Sequence, residues 1–223
     1  MTKRALILVE GQTEERFVKD VLAPAFWAKQ LYLAPTILVT KRVKDGPNFK
    51  GGVTSFAKFK NDAQRLIYSA GGALVTTLID YYGLPLDFPG MTHRPAGSPI
   101  NRVMHIENEI RATLQYPPNF VPFLILHEFE ALLFSEPSVL PQVMTDVSKQ
   151  QHLTTIRQSV STPEDINERP EYAPSKRILA CFPSYNKTLH GPLTAERIGL
   201  ARMRAECPHF AAWLSMLETY AAG

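Results

Sequence analysis

Four short apolar runs mark the first 126 residues: ALILV at 5–9, TILVT at 36–40, ALVTTLI at 73–79 and VPFLIL at 121–126. None alternates apolar with polar side chains as a strand with one wet face does, so each reads as a strand buried on both faces. Between the runs the spacing becomes that of a helix. Thr13–Lys29 places Phe17, Val21 and Leu22 on an inner face, with Pro24 expected to kink or end its regular portion. Val53–Ser69 forms a second helical stretch. A third, RVMHIENEIRATLQ, sets Val103, Ile106, Ile110 and Leu114 on one stripe and leaves Glu107 and Glu109 off it. Strand and helix in alternation predict an α/β fold, with a mainly parallel sheet of about four strands flanked by helices.

Gly83–Pro99 is rich in proline and glycine and has no period, so it reads as a long loop directly after the third strand, of a length that is often functional or mobile. Beyond Phe134 the strand signal ends and prolines from Pro137 to Pro208 divide a helical pattern. Its last segment, PHFAAWLSMLETYAA, opens with the proline that suits a first helical turn and carries Phe210, Trp213, Leu214 and Leu217 as an apolar stripe. The chain therefore divides into an α/β core over 1–135 and a helical region over 136–223 packed on that core as one structural unit.

With 223 residues and 45% hydrophobic content there is material for one substantial core. A net charge of +3 is too small to identify a nucleic-acid binder, so a basic surface has to come from local clustering. Two cysteines outside any CxxC arrangement, and no apolar stretch near the roughly 20 residues that span a bilayer, lead us to expect a cytoplasmic protein that does not enter a membrane. P-loop, G-x-S-x-G, H-E-x-x-H and G-x-G-x-x-G patterns are all missing, which argues against an intrinsic NTPase, a serine hydrolase, a zincin and a dinucleotide enzyme.

Three of the strands end on acid. The run ALILV leads to Glu10, LVTTLI to Asp80, and FLIL to His127, Glu128 and Glu130, while Glu14 sits on the first turn of the following helix. Parallel strands share one C-terminal edge, so these carboxylates can converge despite their separation in sequence. Gathered carboxylates repel one another and desolvate at a cost unless a hard cation binds among them, and an all-oxygen set suits Mg²⁺ or Mn²⁺. Capping is the competing role, evenly matched for Glu14. Glu130 also stays open, since on a helix starting near His127 it points away from Glu128. His127 reads either as a base or phosphate ligand, or as a residue that orients the turn. The most basic stretch holds Lys41, Arg42, Lys44, Lys50, Lys58, Lys60 and Arg65 with Phe49, Phe56 and Phe59 interleaved. Its lysines suit a phosphate backbone, whereas Phe56 and Phe59 at spacing three suit a core. Lys176 and Arg177, opening a helix after Pro174, form a second candidate phosphate contact. Cys181, His190, Cys207 and His209 match no zinc spacing.

The segments LVEGQTEERF, LIDYYGLP and ILHEFEALLF, continued by APSKRI and CPHFAAWL, together resemble the bacterial family of domain of unknown function 4276 over nearly the whole chain. That family looks like a divergent branch of the Toprim superfamily, related to the overcoming-lysogenization-defect (OLD) nucleases. The resemblance implies a Toprim-like sheet and a Mg²⁺- or Mn²⁺-dependent nuclease acting on DNA or RNA. It assigns Glu10 and Glu14 to the paired glutamates, Asp80 to the first Asp of an Asp-x-Asp motif, Glu128 or Glu130 to the last acidic position, and a catalytic role to Lys176. It further implies a separate ABC-type ATPase partner in anti-phage defence, and leaves room for an oligomer. One departure stands out: Tyr82 replaces the second Asp, and a phenol stays protonated near neutral pH, with Asp87 the nearest substitute. That departure supports the alternative of a catalytically inactive Toprim-like subunit that binds a partner protein or nucleic acid.

Overall fold

The computed structural model describes residues 2–41, 49–50, 52–166 and 170–223. Its main sheet is parallel throughout. β1 (Lys3–Val9) lies between β2 (Leu31–Ile37) and β5 (Leu74–Asp80), and β5 pairs on its other side with β6 (Phe120–Val121) and then β7 (Leu124–Ile125). A separate antiparallel pair joins β3 (Val39–Lys41) to β4 (Phe49–Lys50). Successive side chains on a strand point to opposite faces, and the strand sequences serve both faces at once. Ala5, Ile7 and Val9 enter one core together with Leu74 and Leu78. Leu6 and Leu8 enter the other with Val75 and Ile79.

The first core is covered by α1 (Gln12–Phe17), α2 (Ala23–Trp27) and the C-terminal helices, which contribute Ala195 from α9 (Lys187–Ile198), Met203 from α10 (Leu200–Glu206), and Phe210, Trp213, Leu214 and Leu217 from α11 (Pro208–Ala222). The second is covered by α3 (Phe56–Ser69) and α4 (Pro99–Thr113), whose stripe of Val103, Ile106 and Ile110 is fully buried. The remaining helices, α5 (Glu130–Leu133), α6 (Val139–Val143), α7 (Gln150–Gln158) and α8 (Pro174–Cys181), are short and follow β7 in order. Residues before and after position 135 thus share one apolar interior.

Several expected boundaries move, each for a local reason. The second strand begins at Leu31, five residues before the apolar run, because Leu31 and Leu33 face the core while Tyr32 faces out. It is an edge strand, where Pro35 needs no ladder partner on its open side. Pro24 neither ends nor breaks the first helix. A π turn over Val18–Leu22 precedes it and widens the spiral at the point where the proline ring would meet the preceding carbonyl. The fourth strand is interrupted at Pro122, which has no N–H to donate. There the Thr77 hydroxyl substitutes for the ladder, accepting from Phe123 N at 2.8 Å and donating to Phe123 O at 2.6 Å, so the register with β5 is the same on both sides of the gap. The stretch Gly83–Pro99 is irregular, as expected, but well anchored, with Leu84, Phe88 and Met91 buried in the second core.

α11 is fastened by a buried carboxylate. Both oxygens of Glu164 accept backbone N–H groups at its first turn, from His209 and Phe210, each at 2.9 Å. His209 Nε2 lies 2.9 Å from Glu107 Oε1, which also accepts from Leu124 N at 2.8 Å, so α4, β7 and α11 meet at one carboxylate. Trp213 stacks on Phe123 and donates from Nε1 to Thr76 Oγ1 at 2.9 Å. Replacing Glu164 by Ala strands two buried N–H donors and should cost about 2 kcal/mol. For a chain of this size that is a fall of about 4–8 °C in Tm by circular dichroism; an unchanged Tm would show that water caps α11 equally well.

Candidate acidic site

β1, β5 and β7 release their chains at one edge of the sheet, and the carboxylates of the three exits are drawn together there. Glu10 follows β1 directly; its Oε2 accepts from the backbone N–H of Asp80 at 3.1 Å, tying the tips of two neighbouring strands. Asp80, the last residue of β5, is buried and accepts from Phe129 N through Oδ1 at 2.8 Å. Glu14 reaches back to Gly11 N at 2.9 Å, so it caps α1 and belongs to the cluster at the same time.

The third exit turns sharply. His127 has φ 66°, a left-handed conformation unusual for a side chain of its size, and its carbonyl accepts from Tyr82 N at 2.7 Å. Burial, only partly opposed by Asp165, pushes its imidazole down to about 4, which leaves it neutral and weakly basic. His127 therefore shapes the turn. α5 begins only at Glu130, so Glu128 lies outside any helix, and the two glutamates take different partners. Glu130 is fully buried and joins Asp80. Glu128 accepts from Ser175 N at 2.9 Å and Ser175 Oγ at 3.0 Å, capping the start of α8 at the flank of the cluster.

The centre of the cluster is a cation. Lys187 Nζ, on the first turn of α9, lies 3.3 Å from Asp80 Oδ2 and 3.1 Å from Glu130 Oε2. Burial alone would depress this ammonium, but Asp80, Glu130 and Glu14 outweigh it and hold the group well above the usual lysine range. One lysine does not balance the acids. Burial, reinforced by Asp80 and Glu14, pushes Glu10 up to about 8. Burial and Asp80 push Glu14 to about 7, and burial, opposed by Lys187, leaves Glu130 near 7. Tyr185 completes the wall, its hydroxyl 3.5 Å from Glu130 Oε1 and raised far out of range by burial and that neighbour.

α9 reaches this position through two sequence features. Gly191 allows a close approach, since a Cβ there would stand 3.1 Å from both Phe129 Cε1 and Tyr185 OH, tighter than ordinary contact. Pro192, inside the helix, cannot donate to Thr188 O, and Arg16 Nη1 from α1 takes that carbonyl at 2.8 Å. The lysine that meets the acids is thus Lys187; Lys176 is exposed on α8. Nothing in the local sequence beyond Asn186, the cap of α9, marks Lys187.

The donor set is chemically that of a hard divalent ion: every acidic ligand is an oxygen, and the enclosed Glu130 Oε2 has no aligned hydrogen-bond donor, only the nearby ammonium. Among the described residues, however, no three His, Cys, Asp or Glu side chains stand at ligand spacing. The Lys187 ammonium occupies the space between Asp80 and Glu130. Tyr82 is half-buried, and Asp87 caps α3 through Phe56 N at 2.9 Å, so Asp87 is committed elsewhere.

Of the basic candidates, Lys58 is exposed on the first turn of α3 and bonds Thr54 Oγ1 at 3.0 Å. Lys60 is half-buried. Phe56 and Phe59 pack with Phe88, which makes them core residues rather than stacking platforms. Arg177 is turned back onto Tyr172, donating to its carbonyl at 2.8 Å and covering its ring. Lys41 ends β3, and Arg42 lies outside the described residues. Cys181 and Cys207 are buried free thiols.

The raised carboxyls have a consequence for stability. The unfolded chain gives up these protons near 4.5 and the native chain keeps them to about 7 or 8, so ionising the cluster weakens the fold progressively as pH rises from 4.5 through about 8. In metal-free buffer, Glu10→Gln should leave Tm unchanged near pH 4.5 and raise it by several degrees at pH 8.5. Lys187→Met should do the reverse, lowering Tm far more at pH 8.5 than at pH 5. Parallel Tm–pH curves for wild type and variants would show that the carboxylates do not share one field.

Searches among curated proteins and among solved structures return no match to this chain. No helix among the described residues is long and apolar enough to cross a membrane. A family model does match, over residues 9–218, which takes in every strand exit of the acidic site together with Lys187. The chain belongs to the family described as domain of unknown function (DUF4276).

Proposed function

We propose that the protein is a Toprim-like, Mg²⁺- or Mn²⁺-dependent nuclease that hydrolyses phosphodiester bonds of DNA or RNA. The observation that carries this reading is the convergence of Glu10, Asp80 and Glu130, from three strand ends, with Glu14, around more negative charge than Lys187 can balance. These four carboxylates would hold the metal, which when bound polarises a phosphoryl oxygen and lowers the pKa of water. The chain's own part is to align and shield. The Asp80 N–H orients Glu10, Phe129 N orients Asp80, and Phe17, Phe129 and Tyr185 exclude bulk water from the floor. Lys187, the ammonium beside Asp80 and Glu130, is the chain's own candidate for a phosphate contact at this site. Lys58, near the start of α3, is a candidate for the path of the strand, as is Lys176 beside Ser175. With no nucleotide-binding motif in this chain, we assign any ATP-driven step to a separate ABC-type ATPase partner in anti-phage defence.

A specific observation favours a second reading. The Lys187 ion pairs already supply the cluster with a cation, and Tyr82 replaces an expected carboxylate, as suits a non-catalytic subunit that binds a partner. Metal binding separates the two. Calorimetry at pH 8 should show Mn²⁺ binding to wild type, tighter binding to Lys187→Met because the competing ammonium is gone, and none to Asp80→Ala. End-labelled DNA and RNA should be cut only with metal present. Glu10→Ala, Asp80→Ala and Glu130→Ala should each lose more than the roughly 10–100-fold that an outer partner of a metal costs, with the fold intact. No Mn²⁺ heat at millimolar concentration, in wild type and Lys187→Met alike, would leave the subunit reading.

A further inference from the structure

The acidic site occupies the C-terminal edge of the sheet, and a large cleft lies at the opposite edge. It has a volume of about 720 Å³ and runs along α3 to the start of β5, with the α4–β6 connection as its far wall and Tyr220 at its end. Clefts of roughly 300–1,000 Å³ are the size of small-molecule sites.

Its chemistry is uneven along its length. Lys60, Gln64 and Tyr68 stand four residues apart on one face of α3, so they follow each other along the cleft over about 12 Å of helix axis. Lys60 is the only charged residue of the lining and makes no ion pair among the described residues. At the other end Tyr68 is 84% exposed, an unusual cost for an aromatic residue, and shares the lining with Pro117 and the buried Leu74. Gln64 lies between Lys60 and Tyr68 on α3, and Gln115 from the α4–β6 connection also lines the cleft.

Gln115 adds a separate indication. It follows the last turn of α4 with φ 64°, the left-handed position where helices usually place glycine, and its N–H closes the helix onto Ala112 O at 2.9 Å. A side chain at this position is strained by about 1 kcal/mol or more. It is also one of the residues that line the cleft.

We propose that this cleft binds a nucleoside monophosphate: a flat ring against Tyr68 and Pro117, its hydrogen-bonding edge read by Gln64 and Gln115, and its phosphate at Lys60. A flat body with polar edges and one anionic end is what an apolar floor, two amides and a single unpaired cation complement. The proposal is independent of the acidic site, about 20 Å away along β5.

Calorimetry in EDTA, which removes divalent ions from the acidic site, tests it with nucleoside monophosphates, the corresponding nucleosides and inorganic phosphate as separate probes. At least one monophosphate should bind, its nucleoside more weakly, and phosphate alone not at all. Lys60→Ala should weaken the monophosphate about tenfold, to the level of the nucleoside, and leave the nucleoside unchanged. Gln115→Gly should weaken both while leaving Tm equal to or above wild type, which a purely structural glutamine would not do. The proposal is overturned if no probe binds at millimolar concentration, if phosphate binds as well as the monophosphates, or if Lys60→Ala and Tyr68→Ala leave binding unchanged and so place it elsewhere.

Discussion

Four carboxylates meeting at one end of a sheet cannot all be ionised, buried and unpaired, and the rest of the molecule is arranged around that restriction. Three of them are placed by β1, β5 and β7 before any helix of the C-terminal half is added. Lys187, which comes from that half, reduces their repulsion through Asp80 and Glu130. An ion pair of this kind needs close placement, because each ångström of separation in a poorly solvated setting weakens the attraction that offsets desolvation. The two halves of the chain are therefore joined electrostatically at the site as well as by the apolar core beneath it.

The close placement is built from constraints on backbone approach. A methyl group at residue 191 would press on Phe129 and Tyr185 at 3.1 Å, and a proline at 192 frees the carbonyl that Arg16 holds. On the strand side, Thr77 carries the register across the gap at Pro122, so the chain reaches His127 in phase with β5. The left-handed turn at His127 then brings Glu128 and Glu130 to the edge without an intervening helical turn.

The opposite edge of the sheet obeys another rule. There helices end rather than begin, Tyr220 of α11 accepts from Leu74 N and donates to Arg4 O, and Lys3 reaches Tyr220 O, so the C-terminal helix closes over the beginnings of β1 and β5. Acidic side chains are missing from the cleft lining at this edge, as they are concentrated at the other. A parallel sheet makes that division available because all strand exits lie on one side and all strand starts on the other.

The sequence by itself determined the layers of this protein. Unbroken apolar runs require burial on both faces, so ALILV and LVTTLI specify central parallel strands, and the stripe from Val103 to Ile110 specifies a covering helix. It also determined that Glu10 and Asp80 share an edge, since both follow such runs and parallel strands end on one side. The lower-contrast elements were harder to read: β2 starts at Leu31, before a proline at 35 that only an edge strand accommodates, and Pro24 passes through a helix because a π turn precedes it. The identity of the cation was decided only by tertiary structure. Lys176 and Lys187 are equivalent in sequence, each a lysine in the first turn of a helix, and what separates them is which helix packs on α1. That depends on Gly191, Pro192 and Arg16 acting together across 172 positions between Arg16 and Thr188, a steric and hydrogen-bonding match with no periodicity to reveal it.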